Sequence, residues 1–185
     1  MADLRVNKDG SPTPTKADLF TYSFRLASAD DLLRLRRWLH APEVKRWWGE
    51  PREQYKLLRA DLNDPRMAMR IVSFNGRPFA YAQDYDVHAW PQTHLAHLPR
   101  GSRAIDTFIG RPSMVGRGHG RLYLRLLAER LCAEGVPLVA VDPAEDNLRA
   151  RRAYVNAGFR SEASVATDTG LAVLMLYERK RANAS

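Results

Sequence analysis

Cysteine is nearly missing from this chain: among 185 residues Cys132 stands alone. One thiol can neither close an intramolecular disulfide nor assemble a cysteine-based metal site, so a reducing cytoplasm is the expected compartment. Long hydrophobic runs are missing as well. No segment approaches the roughly 18 apolar residues of a membrane span, and the N-terminus lacks the apolar core of a secretory signal. Internal repeats and interdomain linkers are also absent, which leaves one domain as the expectation for this length. Positive charge is what the chain has in excess, with 29 Lys and Arg against 21 Asp and Glu, a net +8. The arginines are spread over helix faces, as at Arg34, Arg36, Arg37 and again at Arg149, Arg151, Arg152, and no aromatic residues are interleaved with them. A nucleic-acid stacking platform needs that interleaving. Nucleic acid is therefore not the expected partner, and a polyanionic small molecule suits such a surface equally well.

With 45% hydrophobic and 27% charged residues the chain can bury a proper core. Residues 1–17, rich in Ser, Thr, Pro, Lys and Asp, read as a mobile lead-in, 18–180 as the folded domain and 181–185 as a short tail. Apolar periodicity predicts strands at 21–26, 67–74, 77–85, 104–109, 138–141, 160–166 and 171–178. It predicts helices at 29–39, 42–47, 52–62, 121–134 and 147–157. Asn75-Gly76 marks a two-residue hairpin turn, and Gly158 a helix C-terminus. The order β-α-α-α-β-β-β-α-β-α-β-β fits one α/β domain with a mixed sheet. Residues 86–102 hold three histidines, two prolines and a Trp without any period, and a loop of that length in a compact domain tends to be functional. His94-x-x-His97 has no carboxylate at matching spacing, so no metal is expected there.

Between the strand at 104–109 and the helix at 121–134 lies V-G-R-G-H-G, residues 115–120. A strand that ends in a glycine-rich turn opening a helix presents unpaired N–H groups and the positive end of the helix dipole, an anion site by construction. Gly116, Gly118 and Gly120 remove Cβ atoms from that approach, and Arg117, His119 and Arg121 add charge nearby. A dinucleotide fingerprint would need glycine where Arg121 stands, and a P-loop would need a Gly-Lys-Ser/Thr that is absent.

The spacing left is an acyl-coenzyme A turn, x-x-x-G-x-G. Together with Ile105-Asp106 before it and D-P-A-E-D-N-L-R-A-R-R-A-Y-V-N-A-G-F (142–159) after it, it resembles the GNAT N-acetyltransferase superfamily. Within that superfamily the chain is most similar to the aminoglycoside 6′-N-acetyltransferases, which E-V-K-R-W-W-G (43–49) and Y-A-Q-D-Y (81–85) also resemble. The resemblance covers roughly 22–178. N-x-x-A-x-x-x-Y-x-x-A-G-F on the helix at 147–157 is its most specific part.

The resemblance implies an α/β, single-domain GNAT-like fold: a mixed, mostly antiparallel sheet with a central splayed parallel pair and helices on both faces. It implies acetyl-CoA as co-substrate, no metal, and direct transfer to a primary amine of a small molecule, an aminoglycoside-like amino sugar among the acceptors. The backbone of Thr107, Phe108 and Ile109 would meet the pantetheine arm. Val115, Gly116, Arg117, Gly118, His119 and Gly120 would hold the pyrophosphate, and Asn147 would contact the cofactor. Asp106 would act on the amine as base or electrostatic anchor, and Tyr154 would stand near the sulfur as proton donor. Trp47, Asp84, Tyr85 and Asp142 would bind the acceptor. Val115 stands where many members carry Arg or Gln, and the loop at 86–102 has no carboxylate after Asp86 although a polycationic acceptor calls for acidic walls. Protein or siderophore-type amine acylation, and a non-catalytic coenzyme A-binding module, are the alternative readings. Monomer and homodimer are both compatible with the sequence.

Overall fold

The computed structural model describes residues 21–178, so the lead-in at 1–17 and the tail at 181–185 lie outside the described residues. Every expected element is present in the expected order. Strand β1 (Tyr22–Leu26) leads through a 3-10 turn (Ala29–Asp31) into helices α1 (Leu32–Leu39), α2 (Pro42–Trp48) and α3 (Pro51–Asp61). The hairpin β2 (Met67–Phe74) and β3 (Arg77–Asp86) follows, then β4 (Arg103–Ile109), α4 (His119–Ala133), β5 (Val139–Val141), α5 (Leu148–Ala157), β6 (Arg160–Thr167) and β7 (Gly170–Tyr177).

Local chemistry sets most boundaries. Asn75 and Gly76 both take positive φ, 48° and 73°, the geometry of the tight turn that twists with its strands. Pro42 and Pro51 open α2 and α3, where a missing N–H costs nothing. The single helix expected over 29–39 divides: its first turn, Ala29–Asp31, which Ser28 caps, is wound tighter, as 3-10. Asn147 is the N-cap of α5 rather than its first residue: its Oδ1 accepts from the Ala150 amide at 3.1 Å.

The seven strands form one sheet in the order β1-β2-β3-β4-β5-β7-β6. All neighbours are antiparallel except β4 and β5, which run parallel and pair through only Arg103–Val139 and Ala104–Ala140. Beyond Ala104 the two strands part. Helices α4 and α5 cover one face, burying Tyr123, Leu127 and Leu131 with Val72, Phe79, Val139 and Phe159. Helices α1–α3 cover one end of the other face, where Leu35, Trp38 and Leu58 pack on Ile71, Tyr81 and Phe108. The far end of that face is roofed by residues 87–98, whose Val87, Leu95 and Leu98 pack on Tyr85, Ala104, Ala140 and Leu174. Among the described residues no helix is long and apolar enough to cross a membrane.

Candidate active site

Strand alternation and register place the chemistry. Successive side chains of a strand point to opposite faces, so Tyr81, Gln83 and Tyr85 share one face of β3. Across the ladder they pair with Phe108, Asp106 and Ala104 of β4. Tyr81 and Phe108 lie under α1–α3, while Tyr85 and Ala104 lie under the 87–98 roof. Gln83 and Asp106 fall in the gap between the two roofs. That gap opens into a cleft of about 880 Å3 that runs through the β4–β5 splay to the glycine turn.

Asp106 is held by a short relay. Gln83 Nε2 donates to Asp106 Oδ2 at 2.9 Å, and Tyr81 donates its hydroxyl to Gln83 Oε1 at 2.5 Å. Burial in the cleft wall, reinforced by the negative charge of Asp142, pushes the Asp106 carboxyl up to about 7 despite the Gln83 hydrogen bond. Asp142 follows β5 on the other side of the splay and is itself raised by burial, with His94 counteracting. His94 Nε2 sits 3.0 Å from Asp142 Oδ2. Tyr154 of α5 also lines the cleft, packed edge-on against Phe159 with centroids 5.7 Å apart. Burial above all, together with Tyr123, Asp106 and Asp142, holds its phenol well above its ordinary value, so it stays protonated.

At the other end of the cleft, Gly116 and Gly118 take φ of 74° and 82°, a region that L side chains avoid. Gly118 is the N-cap of α4, and Val115, Gly116, Gly118, Gly120 and Arg121 line the cleft at that helix's positive end. The Arg103 amide bonds the Leu138 carbonyl toward β5, and the Gly110 amide bonds Phe79 toward β3. Backbone groups alternate sides along a strand. The amides and carbonyls of Thr107 and Ile109 therefore face the gap that β5 vacates, while those of Phe108 are spent on β3. The Thr107 side chain is occupied with the Tyr81 carbonyl and the Tyr123 hydroxyl, at 2.5 and 2.8 Å.

Several expected site residues stand elsewhere. Asp84, expected at the acceptor, neighbours Tyr85 on the strand and so points to the opposite face; it is 1% exposed and paired with Arg70 and Arg103. Tyr85 is buried under Trp90, ring centroids 5.5 Å apart, and supports the roof from below rather than lining the cleft. His119 turns its side chain away from the turn into an aromatic cluster, 2.6 Å from the Tyr22 hydroxyl and 4.7 Å from the Phe74 ring centroid. Burial and then Arg117 depress its proton affinity, so it contributes a neutral anchor instead of charge. Arg117 is exposed and outside the cleft wall. Asn147 lines the cleft with its carbonyl committed to the helix cap. Trp47 and Trp48 both line it: Trp48 packs edge-on against Phe108 at 4.8 Å, and Trp47 lies under the Arg46 guanidinium.

The acidic walls that the loop lacks come from five other places: Glu43 of α2, Asp61 of α3, Asp106, Asp142 and Asp168 in the β6–β7 turn. Glu43 is joined across the mouth to Arg149 of α5 at 2.5 Å. Gln83, Asp61 and Asp168 were not singled out in the sequence. Gln83 was within reach, being two residues from each of two aromatics on one strand face. The carboxylates carry no local signal.

An acetyltransferase (GNAT) domain model matches residues 27–167. The aminoglycoside N(6′)-acetyltransferase type 1 of Klebsiella pneumoniae is 32% identical over 172 residues, spanning 85% of this chain and 83% of that protein. A kanamycin resistance protein of Rhizobium radiobacter is 38% identical over 90 residues, 45% of this chain and 83% of that protein. Among solved structures, the aminoglycoside acetyltransferase AAC(6′)-Ib in complex with paromomycin and acetyl-CoA superposes with a TM-score of 0.78 at 31% identity, covering 86% of this chain and 94% of that one. The parallel pair opening beside a glycine turn, and the match along most of the chain, have one meaning: this chain belongs to the GNAT acetyltransferase family.

Proposed function

We propose that the protein transfers the acetyl group of acetyl-CoA directly to a primary amine of a small polycationic amino sugar, of the class its relatives acetylate. The observation that carries this reading is Asp106, a carboxyl pushed up to about 7 on the floor of an acid-walled cleft that leads to an anion turn. The glycine turn and Arg121 suit a pyrophosphate, and the free backbone edge of Thr107 and Ile109 suits the amides of a pantetheine arm. At the acceptor end, Asp61, Asp142 and Asp168 suit ammonium groups.

The proton bookkeeping follows from the environments. An ammonium gives up one proton to bulk water and becomes a free amine beside the Asp106 carboxylate. The amine lone pair forms the C–N bond to the thioester carbonyl, and the second nitrogen proton passes to Asp106 as the tetrahedral species forms. When that species collapses, the C–S bond breaks and its electron pair leaves on sulfur. A carboxylic acid near 7 is more acidic than a thiol near 8.5, so the proton moves downhill from Asp106 to sulfur. Tyr154, held protonated, stabilises the departing thiolate by donating a hydrogen bond without losing its proton.

The test is acetyl-CoA turnover against kanamycin, paromomycin, simple diamines and lysine peptides, with Asp106→Asn and Tyr154→Phe alongside. Amino sugars are expected to be the best acceptors and both variants to be impaired. Turnover confined to peptides would refute the substrate class, and full activity in both variants would refute the residue roles.

A further inference from the structure

The loop that carries the histidines is fixed on both sides of His94. Leu95 and Leu98 are sunk in the core beneath it. Upstream, Trp90 packs on Tyr85 while the Arg66 guanidinium lies 4.5 Å from the Trp90 ring centroid. Between these anchors Gln92, Thr93 and His94 form a wall of the cleft. The His94 side chain is 11% exposed and meets Asp142, 26% exposed, just beyond the end of β5. The two residues are 48 positions apart in sequence. His94 thereby joins the loop wall to the end of β5, the strand that the splay separates from β4.

We propose that His94 is a positioning residue that determines acceptor specificity: by donating Nε2–H to one oxygen of Asp142, it latches the loop wall to the end of β5 and leaves the other oxygen to receive a substrate ammonium. Asp106 takes its hydrogen bond from Gln83 and not from His94, so the base and the ammonium-binding carboxylate have separate hydrogen-bond supports although the Asp142 charge reaches Asp106. Without the latch the Asp142 carboxylate could rotate. A latched one, which also accepts from its own backbone amide, is held in one orientation and presents its remaining lone pairs in a fixed direction, which favours an amine whose neighbouring ammonium lies at a fixed offset from the reacting nitrogen. The inference rests on the amine-acetylation reading for its substrate and on geometry alone for the latch.

Two variants test it, His94→Ala and the donor-retaining His94→Gln. With kanamycin as acceptor, His94→Ala is expected to raise the kanamycin KM about ten-fold, the loss of one charge-assisted hydrogen bond. The acetyl-CoA KM should stay put and kcat should fall far less than KM rises. His94→Gln should recover most of the affinity. Amide hydrogen exchange, read without any acceptor, should quicken across 91–98 in His94→Ala and return to the wild-type rate in His94→Gln. An unchanged kanamycin KM, an equal rise in both KM values, or failure of Gln to rescue would overturn the proposal. If the wild type acetylates no amine, the proposed function fails by itself. The exchange comparison then still decides the latch: no difference between wild type and His94→Ala refutes it.

Discussion

At the scale of single residues, the base proposed at Asp106 would couple activity to stability with opposite signs. An ordinary aspartate titrates near 3.8, whereas this one is pushed up to about 7. The base form therefore accumulates only above pH 7, and because the acceptor ammonium must also lose a proton, kcat/KM should fall below pH 7 with one unit of slope more than amine deprotonation alone gives. Asp106→Asn should lower kcat/KM by about 10²–10⁴ and remove that extra unit of slope, leaving only the amine's own, measured by rate profiles from pH 5 to 9. Between pH 4 and 7 the folded chain keeps a proton that the unfolded chain has released, so this group's contribution makes stability fall as pH rises, and the penalty is complete above 7. Asp106→Asn removes the penalty while still accepting from Gln83. Its melting temperature should exceed wild type by several degrees at pH 8 and converge with it near pH 4, and a lower value at pH 8 would contradict the assignment. Asp84 is the contrasting case. Removing its carboxylate by Asp84→Ala strands the Arg70 and Arg103 guanidinium groups in a buried site, at a cost of about 3–5 kcal/mol in urea unfolding. The kanamycin KM of the folded variant should not move, because the side chain lies on the far face of the sheet.

At the scale of elements, the glycine turn separates two needs. Gly118 has φ of 82°, so a side chain there strains the backbone whatever the space around it. Gly120 lies in the first turn of α4 with ordinary φ, and a Cβ there would meet Ala153 at 3.8 Å, a normal contact. Gly118→Ala should therefore lower stability by about 1–2 kcal/mol, whereas Gly120→Ala should melt as wild type. Both should weaken coenzyme A binding in calorimetry, one by distorting the turn and the other by obstructing it. Loss of affinity only in Gly118→Ala would mean that bare approach over α4 is not needed. These elements were legible in sequence because their signals are local: a helical period, Asn147 and Gly158 bounding α5, Asn75-Gly76 in the hairpin. Facing was only half legible. Asp84 and Tyr85 are adjacent on one strand and cannot both face one cleft, which alternation alone forbids. Choosing the face required the β3–β4 register, and with it Gln83 opposite Asp106. His94 meeting Asp142, and Glu43 meeting Arg149 from 106 residues away, depend on tertiary closure that no local pattern encodes.

At the scale of the whole molecule, charge is distributed against itself. The chain carries a net +8, yet the cleft is lined by Asp61, Asp106, Asp142 and Asp168, and Arg121 stands beside its glycine turn. Long-range field and local field thus act together on an anionic acetyl donor and against each other on a polycationic acceptor. Salt screens charges separated by more than a Debye length, about 10 Å at 0.1 M, far more than it screens contacts inside a cleft. Raising salt from about 20 to 300 mM should then weaken acetyl-CoA capture on both counts, and its KM should climb several-fold. For kanamycin, screening removes a global repulsion while it weakens a local attraction, so its KM should change less than that of acetyl-CoA. Steady-state titrations of each substrate at saturating partner decide the matter. A kanamycin KM with the steeper salt dependence would mean that the acidic walls govern its approach from a distance and that the basic exterior does not oppose them. The expected order instead has the exterior recruiting the donor and the cleft alone selecting the acceptor.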